Sequence, residues 1–288
     1  MTGAELLVGS YDLHVHCSPD SVPRAQSCFE LAEAASKAGM TGVGLKDHGS
    51  STVGRCAVLN EIHDGNPRFI SSIVLNPSVG GLNPCAVEAA LGSGCEIIYF
   101  PTYGARHQIE SEGRTGMPYS LPSSFEGIGL GDTSAVGEIL ELIAKHGAVL
   151  ATGHLSARES VELLEQARAV GVTKMIVTHA SEPVPKMSIE DQRRCVAAGS
   201  LIEHCFMACT QCSAAPIPLE EIASQIRQIG VDHVVLSSDL GQVANGAPVE
   251  GFANHLDQML GLGFSEKELA TMIRTNPERL VGAVSPTG

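Results

Sequence analysis

The chain has 288 residues, 43% of them hydrophobic but only 4% aromatic and none of them Trp, so a core of this size must be built from Val, Ile, Leu and Ala. Lys and Arg number 18 against 32 Asp and Glu, a formal net charge of -14 that argues against nucleic acid or an anionic membrane as partner. Nine irregularly spaced Cys do not make a secreted disulfide framework, and neither a signal peptide nor an apolar run of membrane-spanning length is visible, so the expectation is a cytoplasmic protein acting on a small molecule, assembled as a homo-oligomer.

Short apolar runs alternate with helical patterns along the whole chain, the signature of parallel βαβ units. Eight strands are predicted, near Tyr11–His16, Gly42–His48, Phe69–Asn76, Glu96–Thr102, Ala148–His154, Lys174–His179, Ser200–Cys205 and His233–Asp239. Between them lie helix start signals: Asn83-Pro84 as N-cap and first helical position, and capping boxes at Ser156–Glu159 and Ser265–Glu268. Gly39, Gly171 and Gly230 suit helix C-termini. The fold expected is a single (β/α)8 TIM barrel over residues 1–288. One stretch breaks the rhythm: residues 103–133 are rich in Gly, Pro and Ser without a period and follow the fourth strand, which predicts a lid or substrate loop over the barrel mouth.

Several predicted strands end in a polar residue capable of chemistry, where a barrel places its active site. Asp12-Leu13-His14-Val15-His16 is the strongest case, because alternate strand residues point the same way and two imidazoles so placed can share one metal ion. His154, His179 and Asp239 end the fifth, sixth and eighth strands, and closure brings the eighth beside the first. Nitrogen and oxygen donors of this kind suit Zn2+ first, with Mn2+ or Fe2+ as alternatives.

This set of residues resembles the amidohydrolase superfamily, in which His-x-His on the first strand joins His on the fifth, His on the sixth and Asp on the eighth. The resemblance spans nearly the whole chain, including ELATMIRTNPERLVG (Glu268–Gly282), while VLNPSVGGLNP with Phe100–Thr102 is similar to an uncharacterised branch. It implies metal ligation by His14, His16, His154, His179 and Asp239, with one ion or two. It also implies catalytic roles for Asp239 as proton acceptor and His179 as polarising group, and hydrolysis of a small amide, cyclic imide or lactone. The pattern departs in one respect: the fourth strand carries no lysine to be carboxylated. Lys46, on the second strand, is the only lysine at a strand end, as a carboxylated bridge or as an ammonium that orients an anionic substrate. A decarboxylase or lyase of the same superfamily therefore stands as an alternative. A third reading comes from DLHVH followed by KDHG, which resembles the PHP phosphoesterases, although Asp239-Leu240-Gly241 lacks their late Asp-x-His.

His48, Thr102, Arg106 and His107 are candidates for substrate binding, with Arg114 farther along the same loop. Glu203 and His204 are adjacent on the seventh strand, so at most one faces inward. Cys205, Cys209 and Cys212 have the spacing of an iron–sulfur ligand set in radical enzymes, but after the seventh strand rather than the first, and are read as a chance match.

Overall fold

The computed structural model describes residues 1–112, 125–131 and 133–282. Nine short parallel strands run through it: β1 (Tyr11–Val15), β2 (Gly42–Leu45), β3 (Arg68–Ile70), β4 (Ser72–Val74), β5 (Ile97–Tyr99), β6 (Val149–Ala151), β7 (Met175–Val177), β8 (Leu201–Cys205) and β9 (Val234–Ser237). They pair in the order β1-β2-β3 and β4 through β9. β3 and β4 are the two halves of one barrel strand. Its ladder is interrupted where the Ser72 amide turns to the Thr52 hydroxyl at 2.7 Å. The circle closes between the last strand and the first: the Asp239 amide donates to the His14 carbonyl at 2.8 Å and the His16 amide to the Leu240 carbonyl at 2.9 Å. The architecture is therefore the eight-stranded α/β barrel expected from the alternation of elements.

The interior holds one side chain after another from successive strands, among them Tyr11, Leu13, Ile70, Ile97, Tyr99, Val149, Ile176 and Val235, and Leu280 and Val281 of the last helix pack against them. Residues of opposite parity, such as Ile98, Leu150, Val177 and Ile202, pack outward under the helices. Branched aliphatic side chains, together with Tyr11 and Tyr99, fill this barrel without Trp.

The first strand departs from strict alternation. Its register against β2 shifts between Asp12 and Val15. Leu13 packs inside the barrel, yet His14, its immediate neighbour, also turns inward, to Asp239 and Glu203. A bulge re-aims a side chain in this way. The close approach needs Gly44 opposite, where a Cβ would stand 2.3 Å from the Leu13 carbonyl oxygen.

The predicted caps are present: Asn83 accepts from Cys85 and Ala86, and Ser156 and Ser265 form full capping boxes with Glu159 and Glu268. Within the irregular stretch after the fourth barrel strand, Arg106–Glu112 is helical. Among the described residues, no helix is long and apolar enough to cross a membrane.

Candidate metal centre

Eight of the ten candidate residues lie just past strand C-termini or at the end of β1: His14, His16, Lys46, His48, Thr102, His154, His179 and Asp239. β9 (Val234–Ser237) is released into the loop that follows it by Asp239 at φ 51 and Gly241 at φ 131. Gly241 cannot be replaced without movement, because a Cβ would stand 2.0 Å from the His16 carbonyl oxygen.

The centre of the site is the Asp239 carboxylate. Its Oδ1 lies 3.1 Å from His14 Nε2 and 3.0 Å from His16 Nε2. His14 is also held from behind, since its Nδ1 lies 3.1 Å from Glu203 Oε2. The same Glu203 oxygen accepts the backbone N–H of His179 at 3.2 Å, so one buried carboxylate orients a ring from the first strand and the backbone beyond the sixth barrel strand. A carboxylate behind an imidazole fixes its tautomer and turns the other nitrogen outward, as metal-binding histidines require. His154 is arranged likewise: Nδ1 lies 2.7 Å from Gln108 Oε1, an acceptor, which leaves Nε2 with a lone pair. His179 Nδ1 is buried without a hydrogen-bond partner among the described residues. These donors fit a divalent ion: the His14 and His16 imidazoles on one carboxylate oxygen, an acceptor behind His14 and another behind His154, and the His179 ring, with Nδ1 unpaired, 5.8 Å from the His14 ring. Cys205 adds a thiol near His14 and Asp239.

Burial and charge set the protonation of this cluster. Burial opposes charge on His14, but Asp239 and Glu203 outweigh it against Lys46, and its pKa rises to about 9. Burial would likewise raise the Asp239 pKa, yet His14 and His16 hold it well below the usual carboxylate range. Burial pushes His179 down to about 3 and His48 and His154 well below the ordinary imidazole value. These three rings are thus neutral and free to accept or ligate.

Two cations touch the cluster. Lys46 Nζ is 2.9 Å from His14 Nε2 and lies over the Tyr99 ring at 4.8 Å. Arg24, from the loop after β1, is anchored through Nε to Asp20 at 2.7 Å and places Nη2 3.2 Å from His16 Nδ1. Both line a cavity of about 160 Å³ at the barrel mouth together with His16, His48, His154, His179, Glu182 and Asp239. His48 lies 2.9 Å from the Thr102 hydroxyl, which accepts from Asn76 at 2.7 Å.

Not every candidate reaches this cavity. Arg106 is exposed and lines a separate surface depression with Gly80 and Gly81. His107 does not line the cavity, because the segment is helical and turns the next residue, Gln108, to His154. Arg114 lies outside the described residues. Sequence reasoning left Glu203 undecided and missed Arg24, Asp12 and Gln108. Asp12 is buried, accepts the Ser238 amide at 3.0 Å and the His14 amide at 3.3 Å, and is pushed up to about 7 by that burial. His204, on the opposite face from Glu203, lies 2.6 Å from the Ser181 hydroxyl and away from the centre.

The barrel is similar in fold to solved structures of hydrolases. An amidohydrolase from Pseudomonas aeruginosa superposes with a TM-score of 0.64 at 14% identity, covering 98% of both chains. The organophosphorus hydrolase from Deinococcus radiodurans gives 0.62 at 12% identity over 98% of this chain and 96% of that one. The probable dipeptidase PvdM from Pseudomonas aeruginosa gives 0.61 at 13% identity over 97% and 96%. Identities this low establish the shared fold. Comparison with curated proteins yields no match. Residues 9–203 match a family described as a family of unknown function (DUF6282), and the chain belongs to that family.

Proposed function

We propose that this protein is a metal-dependent hydrolase that opens a small amide, cyclic imide or lactone with metal-activated water. The observation that carries the reading is the convergence of His14 Nε2 and His16 Nε2 on Asp239 Oδ1, with Glu203 behind His14. Zn2+ is the ion proposed, with Mn2+ or Fe2+ as alternatives, because imidazole and carboxylate donors favour a borderline cation. A divalent ion at such a site lowers the pKa of bound water to about 7.

The chain's own residues would then divide the work. His14, His16 and Asp239 hold the ion, and His154 and His179 complete its shell or polarise the substrate carbonyl. Asp239 accepts the proton from the attacking water and returns it to the leaving group. Low-lying pKa values keep His154 and His179 neutral, as a ligand must be.

A lyase reading keeps one specific support. The inward-facing residue of the fourth barrel strand beside His14 is Tyr99, with ring centroids 5.7 Å apart, where a lysine would be needed to bridge two ions. One ion suffices for a decarboxylase. The phosphoesterase reading loses ground, because its late histidine would replace Gly241, whose Cβ position is filled by His16. All nine cysteines are unpaired thiols, which favours a reducing, cytoplasmic setting.

A panel of small amides, imides, lactones and unsaturated acids, assayed with and without added Zn2+ in isotopically labelled water, tests the proposal. Hydrolysis places solvent oxygen in the product, whereas decarboxylation releases carbon dioxide. Turnover that survives complete chelation contradicts both readings.

A further inference from the structure

The ends of the second, third and fourth barrel strands are joined through one buried amide, and the joint decides on which nitrogen a cavity-facing histidine carries its hydrogen. Asn76, wholly buried after β4, uses its side chain completely. Oδ1 accepts the backbone N–H of Thr102 at 2.9 Å and of Gly104 at 3.0 Å. Nδ2 donates to the His48 carbonyl at 2.9 Å and to the Thr102 hydroxyl at 2.7 Å. The amide cannot be turned over, since that would set its NH2 against two N–H donors and its oxygen against a carbonyl.

The direction of the next bond follows. Thr102 Oγ1 accepts from Asn76 and has one hydrogen of its own to give. Among the described residues its other partner is His48 Nδ1, at 2.9 Å. Were Nδ1 to carry a hydrogen, the hydroxyl hydrogen would be buried without an acceptor, which is costly. The hydroxyl therefore donates to Nδ1, and the His48 ring has its N–H on Nε2. The ring is also held in place, stacked on His16 with centroids 4.9 Å apart and covered by Tyr103 at 4.3 Å. His48 and Tyr103 line the cavity, whereas Thr102 and Asn76 are buried behind it.

Among the described residues, nothing in the wall accepts the Nε2 hydrogen. Two carboxylates line the same cavity, but Asp239 is engaged by His14 and His16, and neither it nor Glu182 forms a hydrogen bond with His48. Lys46 and Arg24 also line it and are donors only.

We infer that His48 binds substrate by donating Nε2–H to a carbonyl oxygen of it, and that Thr102 and Asn76 are positioning residues that fix this hydrogen. This rests on the reading of the substrate as a small amide, imide or lactone. Thr102, expected from the sequence to contact substrate, acts instead through His48.

Two measurements on the full-length protein test this without an assay of turnover. The first is nitrogen NMR of histidine-labelled protein as isolated, with the His48 signals assigned by their loss in His48→Gln. Wild type is expected to carry hydrogen on Nε2 and none on Nδ1. The Nδ1 signal should move in Thr102→Val, which keeps the shape without the hydroxyl, and stay in place in Thr102→Ser. Hydrogen on Nδ1 in wild type, or an Nδ1 signal unmoved in Thr102→Val, overturns the inference. The second is titration of the Zn2+-loaded protein with 2-pyrrolidinone, an unreactive cyclic amide. The wild-type Nε2–H signal is expected to shift saturably. Thr102→Val should bind about 3- to 10-fold more weakly, the scale of one neutral hydrogen bond, and Thr102→Ser should restore the affinity. A signal that 2-pyrrolidinone leaves in place means that the hydrogen is already taken, by Glu182 or another neighbour, and overturns the donor role. Equal binding by wild type and Thr102→Val does the same for Thr102. Should Thr102→Val not fold, the wild-type tautomer and titration still decide. Failure of the metal-dependent reading looks different: the protein takes up no Zn2+, and both His48 measurements then proceed on the protein as isolated.

Discussion

Glu203 Oε2 stands 3.1 Å from His14 Nδ1, on the side of the ring opposite Asp239. The imidazole is thus clamped between two carboxylates from the seventh and eighth barrel strands. One fixes its tautomer, and the other shares the space a metal ion would need. Glu203→Gln keeps the shape but removes the charge that makes His14 Nε2 a strong donor. We expect it to fold normally and to bind Zn2+ about 10- to 100-fold more weakly, the usual cost of removing such a partner. Unchanged affinity in chelator competition would show that Glu203 serves the fold alone.

Asp239→Asn separates structure from chemistry. The amide keeps the size, but it is a poor base and a weak ligand. Turnover on any substrate found should fall at least ~100-fold, the scale of general acid–base catalysis, with thermal stability near that of wild type. Wild-type turnover in this variant would remove Asp239 from the mechanism.

Acid should destabilise the protein, and His204 should account for part of it. Burial lowers its pKa from the ordinary 6.5 to about 4. A folded-state pKa below the unfolded one means that its contribution is fully present above pH ~6.5 and is lost as pH falls through about 4. At about 1.4 kcal/mol per unit, the contribution is on the order of 3 kcal/mol. His204→Gln should flatten the pH dependence of urea unfolding between those limits, and a slope identical to wild type would refute this assignment.

Gly241→Ala is expected to be among the most damaging small substitutions. It combines φ 131 with a Cβ 2.0 Å from the His16 carbonyl oxygen, backbone that is itself tied to Leu240. Gly246→Ala serves as control, having positive φ but open space around the new methyl. The first should cost upwards of about 3 kcal/mol and the second about 1 kcal/mol by denaturant unfolding. Equal losses would mean that the packing at Gly241 relaxes freely.

The barrel was legible in the sequence because its strands are apolar runs that stop at polar residues, a pattern set by burial on both faces. His14, His16, Lys46, His48, His154, His179 and Asp239 were legible for the same reason: each ends or follows such a run. Strict alternation, however, put Leu13 on the outside. Only the bulge shows that Leu13 and His14 both face in, and a bulge has no fixed signature in a strand of this length. Glu203 was half visible, since a carboxylate within a buried strand needs a partner, but its partner lies 189 residues away. Arg24 sits in a loop whose path depends on contacts with Asp20 and the turn after Asp239, which no local pattern encodes. His107 stood out for its nearness to the strand end, but the helical turn of Arg106–Glu112 brings Gln108 to the cavity instead.

The central claim is that His14, His16 and Asp239 hold a divalent ion. Elemental analysis of purified wild type beside His14→Ala and Asp239→Asn tests it most directly. The account predicts at least one equivalent of Zn2+, Mn2+ or Fe2+ in wild type, lost from both variants although they remain folded. Wild-type protein without transition metal after Zn2+ loading and dialysis, or variants that retain a full equivalent, would contradict it.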